Sequence, residues 1–431
     1  MGTFWVLFNR VVRALWFLPA IFSVAALVVV SAAILVSSWF PFDVDTEKLP
    51  FTISADAVES ILTIVASSML AVAVFALSTL VALLNNVSQN ATPRAVPLIV
   101  ADRAAQTAIS IFIGAFLFSV VGIIGLSAGI YSELGRIILF SSSIFVVLVV
   151  VWALLRWISE ISRIGRIEET VERAENATWS ALKRMGRAGQ FGCKARRSIP
   201  AQATPLNCSE IGYLQHFDPV ALQKVAEMKD LHIHLPIRPG SYVDHQTPLA
   251  WVEGDADEEC MDELRSAFLV GSRRTFEYDP GFGLIVLSEI AQRALSPSLN
   301  DPKTAIHVAT VQTRLLADWE SRWEALAEAD QHDRVSLVPV DDAEMLRAAF
   351  DGLVTDGVES REVVNVILRS LHTIQKIAPQ RLAGPARQLA GEVLERCYDT
   401  LAHELDIEAV RETAIAYGFE QAQDAGSNAT H

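Results

Sequence analysis

Four apolar stretches near the start of the chain constrain its fold more than any other feature. They run from Ala14 to Ser38, Val58 to Leu84, Ala104 to Ile130 and Leu134 to Ile158. Each reaches the ~20 predominantly apolar residues with which an α-helix crosses a bilayer. The first is long for a secretory signal and has no small-residue cleavage site before Trp39, so we expect it to be retained. The sequence therefore predicts four membrane-spanning helices.

Charges beside these stretches predict their orientation. Basic residues lie before the first helix, between the second and third, and after the fourth: Arg10, Arg13, Arg94, Arg103, Arg156, Arg163 and Arg166. The loop after the first helix, PFDVDTEKLPFTISAD, is acidic. Because short basic loops stay in the cytoplasm, we expect a multi-pass protein of the bacterial inner membrane with both termini in the cytoplasm.

The net charge is confined to the second part of the chain. Residues 1–164 hold eight basic and eight acidic side chains, so the whole net charge of −15 belongs to the remainder. An acidic surface repels phosphates, which argues against nucleic acid as a partner. The cysteines, Cys193, Cys208, Cys260 and Cys397, show no paired spacing, and we expect free thiols in the predicted cytoplasmic region.

Beyond the predicted membrane helices the sequence pattern changes twice. Helical spacing continues through ISRIGRIEETVERAENATWSALKRMG, and short alternating strands follow. Amphipathic helices, interrupted by one short strand in RVSLVPV, then extend to Tyr417. Within the β-rich part, DPVALQKVAEMKD predicts one helix capped by Asp218 with Pro219 at its first position.

The predicted fold class is an α-helical membrane protein with a four-helix transmembrane domain followed by a cytoplasmic α+β domain, itself a small β-rich module plus a helical bundle. The boundaries are 1–160 for the transmembrane domain, 161–200 for a helical stalk and linker, 201–254 for the β-rich module, 255–419 for the helical cytoplasmic domain and 420–431 for a disordered tail.

The segment ALSPSLNDPKTA, residues 294–305, is dense in polar and helix-breaking residues. As a helix boundary it needs only Pro297 to stop one helix, Asn300 or Asp301 to cap the next, and Pro302 at its first position. This interpretation is preferred, because caps are commoner than anion sites. The alternative is a site for a small anionic ligand at the helix N-terminus, with these candidate residues: Arg273, Arg274, Asn300, Asp301, Lys303 and Thr304.

Two longer segments carry a resemblance to a known family. They are SRRTFEYDPGFGLIVLSEIAQRALSPSLNDPKTA and SQNATPRAVPLIVADRAAQTAISIFIGAFLFS, taken together with the amino-terminal membrane helices. In these the chain resembles a bacterial family of predicted membrane proteins, domain of unknown function 2254. The resemblance covers nearly the whole chain and implies architecture and location. It assigns no activity, cofactor or catalytic residue.

Motifs for catalysis or metal binding are weak. His232 and His234 in LHIHL project from one strand face, with His216 and His245 as further candidates, but no third ligand has a diagnostic spacing. Neither a G-x-S-x-G elbow nor a G-x-x-x-x-G-K-[ST] loop occurs. We therefore predict no catalytic, cofactor-binding or metal-binding residue and leave the cofactor unknown.

The second predicted membrane helix carries a polar stripe. Stepped at 100° per residue, eight small or polar residues fall on one face about 100° wide: Ser60, Thr63, Ser67, Ala71, Ser78, Ala82, Asn85 and Gln89. Such a stripe indicates either helix packing or, in an oligomer, the lining of a pore. The candidate pore-lining residues are Thr63, Ser67, Ser78 and Asn85.

These features predict a homo-oligomeric channel or small-solute conduit, gated by its cytoplasmic domain and in contact with the lipid bilayer. The alternative is a membrane-anchored sensor or scaffold whose cytoplasmic domain binds a ligand or a protein without conduction. A membrane enzyme is the third hypothesis. A coupled carrier is disfavoured because no charged residue lies deep within a predicted span.

Overall fold

The computed structural model of the protein describes residues 12, 14, 16–39, 54–100, 103–131, 133–164, 166–186, 190–195, 198–323 and 332–421. The chain forms two compact units. We call Phe8–Ser88 with Val96–Glu169 the membrane unit. The other, called the C-terminal unit, includes the described residues of Gln89–Ala95 and Thr170–His431. The short segment Gln89–Ala95 thus lies between two membrane-unit stretches in sequence but belongs to the C-terminal unit.

Helices are the regular secondary structure formed by the described residues of the membrane unit. Its helices are α1 (Phe17–Trp39), α2 (Ala55–Asn90, whose last two residues belong to the C-terminal unit), α3 (Val96–Val100), α4 (Arg103–Ser127) and α5 (Glu133–Ile164). A short 3₁₀ turn, Pro93–Ala95, precedes α3. Long apolar sequences with few charges favour helices here, because a helix satisfies its backbone hydrogen bonds internally.

Three of these helices are long and apolar enough to cross a membrane: Ala55–Asn90, Ala104–Ser127 and Gly135–Ile161. The prediction of four spans is corrected to three for the described residues. Helix α1 is apolar, but its described apolar part is Phe17–Ala32. At 1.5 Å per residue that part is about 24 Å long, less than the ~30 Å hydrocarbon core.

Close backbone contacts hold the membrane unit together. A Cβ placed on Gly114 of α4 would lie 3.3 Å from the carbonyl oxygen of Phe22 in α1. At Gly122, it would lie 3.0 Å from a methyl of Leu62 in α2. Small residues allow such approach, and without a hydrophobic drive between helices in lipid, packing of this kind stabilises a bundle. Gly114 and Gly122 of α4 therefore lie at helix contacts.

Two sheets form the β-rich part of the C-terminal unit. The larger contains β1 (Cys193–Ala195), β2 (Thr204–Asn207), β4 (His232–Leu235), β6 (Pro248–Glu253) and β8 (His332–Leu337), in the order β1-β8-β4-β6-β2. The smaller contains β3 (Gly212–Phe217), β5 (Tyr242–Val243) and β7 (Phe268–Gly271), in the order β5-β3-β7. Strand β8 is parallel to β1 and β4, whereas the other pairs are antiparallel.

The sheets extend beyond the segment 201–254, which was predicted as the β-rich module. Strand β1 precedes that segment, β7 follows it, and β8 comes from RVSLVPV far along the chain. Apolar strand residues form one buried core with the helix Pro219–Met228, which contacts β8. Leu206, Ile233 and Val335 are almost fully buried in this core. The β-rich module is therefore assembled from distant parts of the sequence.

Nine further helices follow α5 in the described chain, and the first of them begins three residues before the C-terminal unit. They are α6 (Ile167–Met185), α7 (Pro219–Met228), α8 (Glu258–Ser266), α9 (Pro280–Leu295), α10 (Pro302–Trp323), α11 (Asp342–Gly357), α12 (Arg361–Ile377), α13 (Ala383–Thr400) and α14 (Glu404–Ala416). The predicted cap is confirmed: Asp218 accepts hydrogen bonds from the Val220 and Ala221 amides at 3.1 and 3.2 Å. The predicted disordered tail, apart from residues 420 and 421, lies outside the described residues, as do Arg10 and Arg13.

Candidate functional site

The start of helix α9 is held by an ion pair between a partly buried arginine and a buried aspartate. Arg274 donates from Nε to Asp279 Oδ2 at 2.6 Å and from Nη2 to Oδ1 at 2.9 Å. Asp279 is also the N-cap of α9 and accepts from the Phe282 amide at 2.9 Å. Its side chain is 6% exposed. One carboxylate thus joins the preceding loop to the helix, and its charge is compensated by a bidentate guanidinium.

A glycine turn lies directly against this pair. Gly240 has a φ of +98°, which L side chains rarely adopt, and a Cβ there would lie 2.3 Å from Asp279 Oδ2. The turn is fixed from both sides, since the Gly240 amide donates to Leu214 O at 2.8 Å and the Ser241 amide to Arg238 O at 3.0 Å. Only glycine allows the turn to approach the ion pair this closely.

The turn, the ion pair and helix α11 enclose a cleft of about 1070 Å³ within the C-terminal unit. This volume slightly exceeds the range of about 300–1,000 Å³ that is typical of small-molecule sites. The walls combine apolar and charged side chains, among them Phe191, Arg238, Tyr278, Ile285, Glu289, Glu344, Met345 and Asp351. The cleft is therefore the candidate ligand site.

Burial changes the ionisation of groups in the cleft. Desolvation lowers the pKa of Arg238 to about 10, with nearby Asp279 among the groups that oppose the shift. The side chain remains cationic at neutral pH, and its Nη1 donates to Val338 O at 2.6 Å. Burial also raises the pKa of Asp351, although Arg347 opposes it. Charges in this setting are screened less than at an open surface.

Helix α9 connects the cleft to the segment Gln89–Ala95. Glu289 lines the cleft and accepts from Thr92 Oγ1 at 2.8 Å, while its other carboxylate oxygen accepts from Arg94. One turn further along, Arg293 Nε donates to Gln89 O at 2.7 Å. The Glu289 side chain is 20% exposed, so this contact is partly shielded from solvent. The same residue thus faces a cavity and holds the segment that follows α2.

The six predicted ligand residues are not brought together. Arg274 lies at the start of α9, whereas Asn300, Asp301, Lys303 and Thr304 follow its end, and a helix of 16 residues is about 24 Å long. Arg273 is exposed, and its carbonyl accepts from Gln215.

The residues after α9 form a helix boundary. Asp301 Oδ1 accepts from the Thr304 amide at 3.2 Å, and Oδ2 accepts from the Thr304 hydroxyl at 2.6 Å. Asn300 has a φ of +47° and is the left-handed residue of the turn. The Lys303 ammonium lies 2.5 Å from Glu362. Asp301, not Asn300, therefore caps α10.

The four predicted pore-lining residues lie on the outer face of α2. Thr63, Ser67, Ser78 and Asn85 are all exposed, as are the other members of the stripe. The buried residues of α2, which include Leu62, Ala76 and Leu80, lie on the opposite face. Ser67 and Ser78 donate to carbonyls of their own helix at 2.9 Å. The stripe is thus unused in packing within the described membrane unit.

Sequence reasoning missed Arg238, Asp279 and Glu289. The Asp-Pro pair in DPGFG is a visible signal of a helix start. Arg274, which pairs with this aspartate, was instead predicted as a ligand residue of the segment 294–305. Glu289 is a single carboxylate within the apolar run LIVLSEIA, which was a usable signal of a partnered acid. Among the described residues, no group of three or more His, Cys, Asp and Glu is arranged to hold a metal ion.

Comparison with known proteins gives a family and distant relatives. The family described as "Predicted membrane protein (DUF2254)" matches residues 13–373. The uncharacterized proteins Rv1290c of Mycobacterium tuberculosis and Mb1321c of Mycobacterium bovis are each 35% identical over 121 residues, which cover 26% of this chain and 22% of the relative. The match therefore spans about a fifth of the length of these relatives. No solved structure matches the chain.

Proposed function

Because the chain belongs to the DUF2254 family of predicted membrane proteins, we propose that it is an inner-membrane sensor whose cytoplasmic C-terminal unit binds a ligand and signals to the membrane helices. The observation that carries this proposal is the double role of Glu289, which lines the cleft and binds Thr92 and Arg94. The segment Gln89–Ala95 is covalently continuous with α2 and α3, so a change in its hydrogen bonds to Glu289 is transmitted to both helices.

The ligand acts through the energy of this contact. A ligand shifts a conformational equilibrium only by its differential affinity for the two states, and coupling between sites is typically 1–3 kcal/mol. A charge-assisted hydrogen bond to a partly buried carboxylate has a free energy of that order. A negatively charged ligand held in the cleft repels the Glu289 carboxylate and so changes its hydrogen bonds to Thr92 and Arg94.

The cleft favours a small ligand with an anionic group. Arg238 is cationic at neutral pH, and the apolar surroundings strengthen its attraction for a carboxylate or phosphate. The acidic residues of the lining, such as Glu344, disfavour a ligand of high negative charge. Succinate and inorganic phosphate are therefore the first probes.

Hydrogen exchange on the full-length protein in lipid nanodiscs tests the link. Glu289→Gln weakens both contacts, and exchange at residues 89–95 should become about tenfold faster, which corresponds to about 1.4 kcal/mol. The matched control is Glu344→Gln, the same change in the same cleft but without a contact to Thr92 or Arg94. Succinate or phosphate should protect residues 236–241 in both variants and alter residues 89–95 only when Glu289 is present. Equal exchange at 89–95 in the two variants would contradict the proposal.

A conduit is the second candidate, and the outward stripe of α2 favours it. In a homo-oligomer, the stripes of neighbouring subunits would line a shared axis. Ser78→Leu and Asn85→Leu should lower flux in liposomes by dewetting that axis. Leu77→Phe adds bulk on the exposed face beside the stripe and is the control. If wild-type protein conducts nothing, or if all three variants behave alike, the stripe serves packing and the conduit is rejected.

A further inference from the structure

Three neighbouring strands of the larger sheet bring a serine, a histidine and a glutamate into one hydrogen-bonded chain. Ser336 Oγ of β8 lies 2.7 Å from His234 Nδ1 of β4. His234 Nε2 lies 3.1 Å from Glu253 Oε2 of β6. His234 and Ser336 are 3% and 6% exposed, whereas the Glu253 side chain is 40% exposed. The chain of contacts thus runs from a buried hydroxyl to a carboxylate that reaches solvent.

Strand register places the three side chains on one face of the sheet. His234 is directly opposite Ser336 on one side and Trp251 on the other, and Glu253 is two residues beyond Trp251. Because side chains alternate along a strand, Trp251 and Glu253 share a face. His232, the other histidine of LHIHL, is opposite Glu253 and exposed.

The carboxylate determines the tautomer of the histidine. An ionised carboxylate only accepts hydrogen bonds, so Nε2 carries the proton that it shares with Glu253. Nδ1 then holds a lone pair and accepts from the Ser336 hydroxyl. A hydroxyl bonded to a histidine base, itself oriented by a third group, is the arrangement of an activated nucleophile, which is recognised by geometry and roles.

A small cavity adjoins the hydroxyl and the imidazole. It has a volume of about 110 Å³ and is lined by Ser198, Ile199, His234, Leu235, Pro236, Ser336 and Val338. Most of the lining is apolar, and the volume suits an acyl group of a few carbons. Ser198 contributes a second serine to the lining. The cavity therefore places a short acyl chain beside the serine.

We propose that Ser336 and His234 are catalytic residues for hydrolysis of short-chain acyl esters, with Glu253 as a positioning residue. Ser336 Oγ forms a bond to the acyl carbon while its proton passes to His234 Nδ1. The ester C–O bond breaks, and the leaving alkoxide takes the proton from His234. Water repeats the sequence on the acyl-serine, releasing the carboxylic acid and restoring the hydroxyl.

Covalent labelling of the wild-type protein gives the first test. The full-length protein in detergent is treated with a fluorophosphonate, which should attach to the peptide containing Ser336. Hydrolysis of p-nitrophenyl acetate should fall about 10²–10⁴-fold in Ser336→Ala and His234→Gln, the range that general-base catalysis contributes. Ser266→Ala, an exposed serine on α8, should retain wild-type turnover.

The role of Glu253 is tested by the pH profile. Without the carboxylate the imidazolium loses a stabilising charge, so Glu253→Gln should move the acidic limb of kcat/KM to lower pH as well as reduce kcat. A purely structural glutamate would reduce the rate without moving that limb. No adduct on Ser336, or equal turnover in wild type and Ser336→Ala, overturns the proposal. Because the adduct is formed on wild-type protein, the result does not depend on how the variants fold.

Discussion

Helices α9 and α10 both begin with Asp-Pro, at Asp279 and Asp301, yet the two aspartates have different surroundings. Both cap their helices by accepting from the amide three residues on, at 2.9 and 3.2 Å. Asp279 is also held by two bonds from Arg274 beside the cleft, whereas Asp301 is held by the hydroxyl of Thr304. The same dipeptide gives the same local structure, and only distant residues distinguish a cleft wall from a helix boundary.

Of the substitutions that test this comparison, removal of Asp279 should lower the free energy of unfolding most. Asp279→Ala leaves the partly buried Arg274 guanidinium without its carboxylate, which costs about 1.5–3 kcal/mol, in addition to the lost cap. Chemical denaturation of the full-length protein measures the loss. Asp279→Asn keeps a cap acceptor and should lie between wild type and alanine. A loss no greater than that of Asp301→Ala would show that the ion pair contributes nothing.

Removal of Asp301 should have a moderate effect. Asp301→Ala loses one N-cap, with an expected cost of about 1 kcal/mol, and Asp301→Ser should be nearly neutral because serine also caps. The same denaturation experiment compares the two variants. A large loss in Asp301→Ser would mean that the carboxylate itself is required and that the segment does more than start a helix.

Loss of Lys303 should have the smallest effect, and one that depends on pH. Lys303 and Glu362 are both exposed, and the ammonium lowers the pKa of the Glu362 carboxyl. Because this pKa is lowered in the folded protein, the ion pair stabilises the fold at pH values above the ordinary carboxyl pKa of 4.5. The stabilisation is lost as the pH falls through the lowered pKa. The small difference in melting between wild type and Lys303→Ala should therefore vanish in acid. A difference that persists there, or weaker binding of phosphate in Lys303→Ala, would indicate a role beyond this pair.

Local features of the fold could be predicted from sequence because their causes lie within a few residues. Asp218 with Pro219 and Asp301 with Pro302 were visible as helix starts, and the apolar runs of α2, α4 and α5 as membrane helices. Strand β8 was visible as a strand, but nothing nearby in the sequence shows that it pairs with β1 and β4.

The candidate sites depend on residues that are far apart in the chain. Glu289 and Arg94 are separated by 195 residues, and Ser336 and His234 by 102. Hydrophobic periodicity predicts the elements that carry them but not which elements become neighbours. The polar residues of segment 294–305 are neighbours in sequence and could therefore be predicted as a candidate site. The charged residues that line the cleft are neighbours only in the folded structure.

The four cysteines provide two independent reporters of opening in the same molecule. All are buried: Cys193, Cys208 and Cys260 lie in the core of the sheets, and Cys397 lies on α13 in the helical part. Burial raises the pKa of the Cys397 thiol to about 11 and also raises that of Cys260. Thiolate is the form that reacts with alkylating agents, so native protein at neutral pH is doubly protected, by access and by protonation. The rate at which the first three thiols are alkylated then measures opening of the sheets, and the rate at Cys397 measures opening of the helices. Neither measurement needs an engineered label.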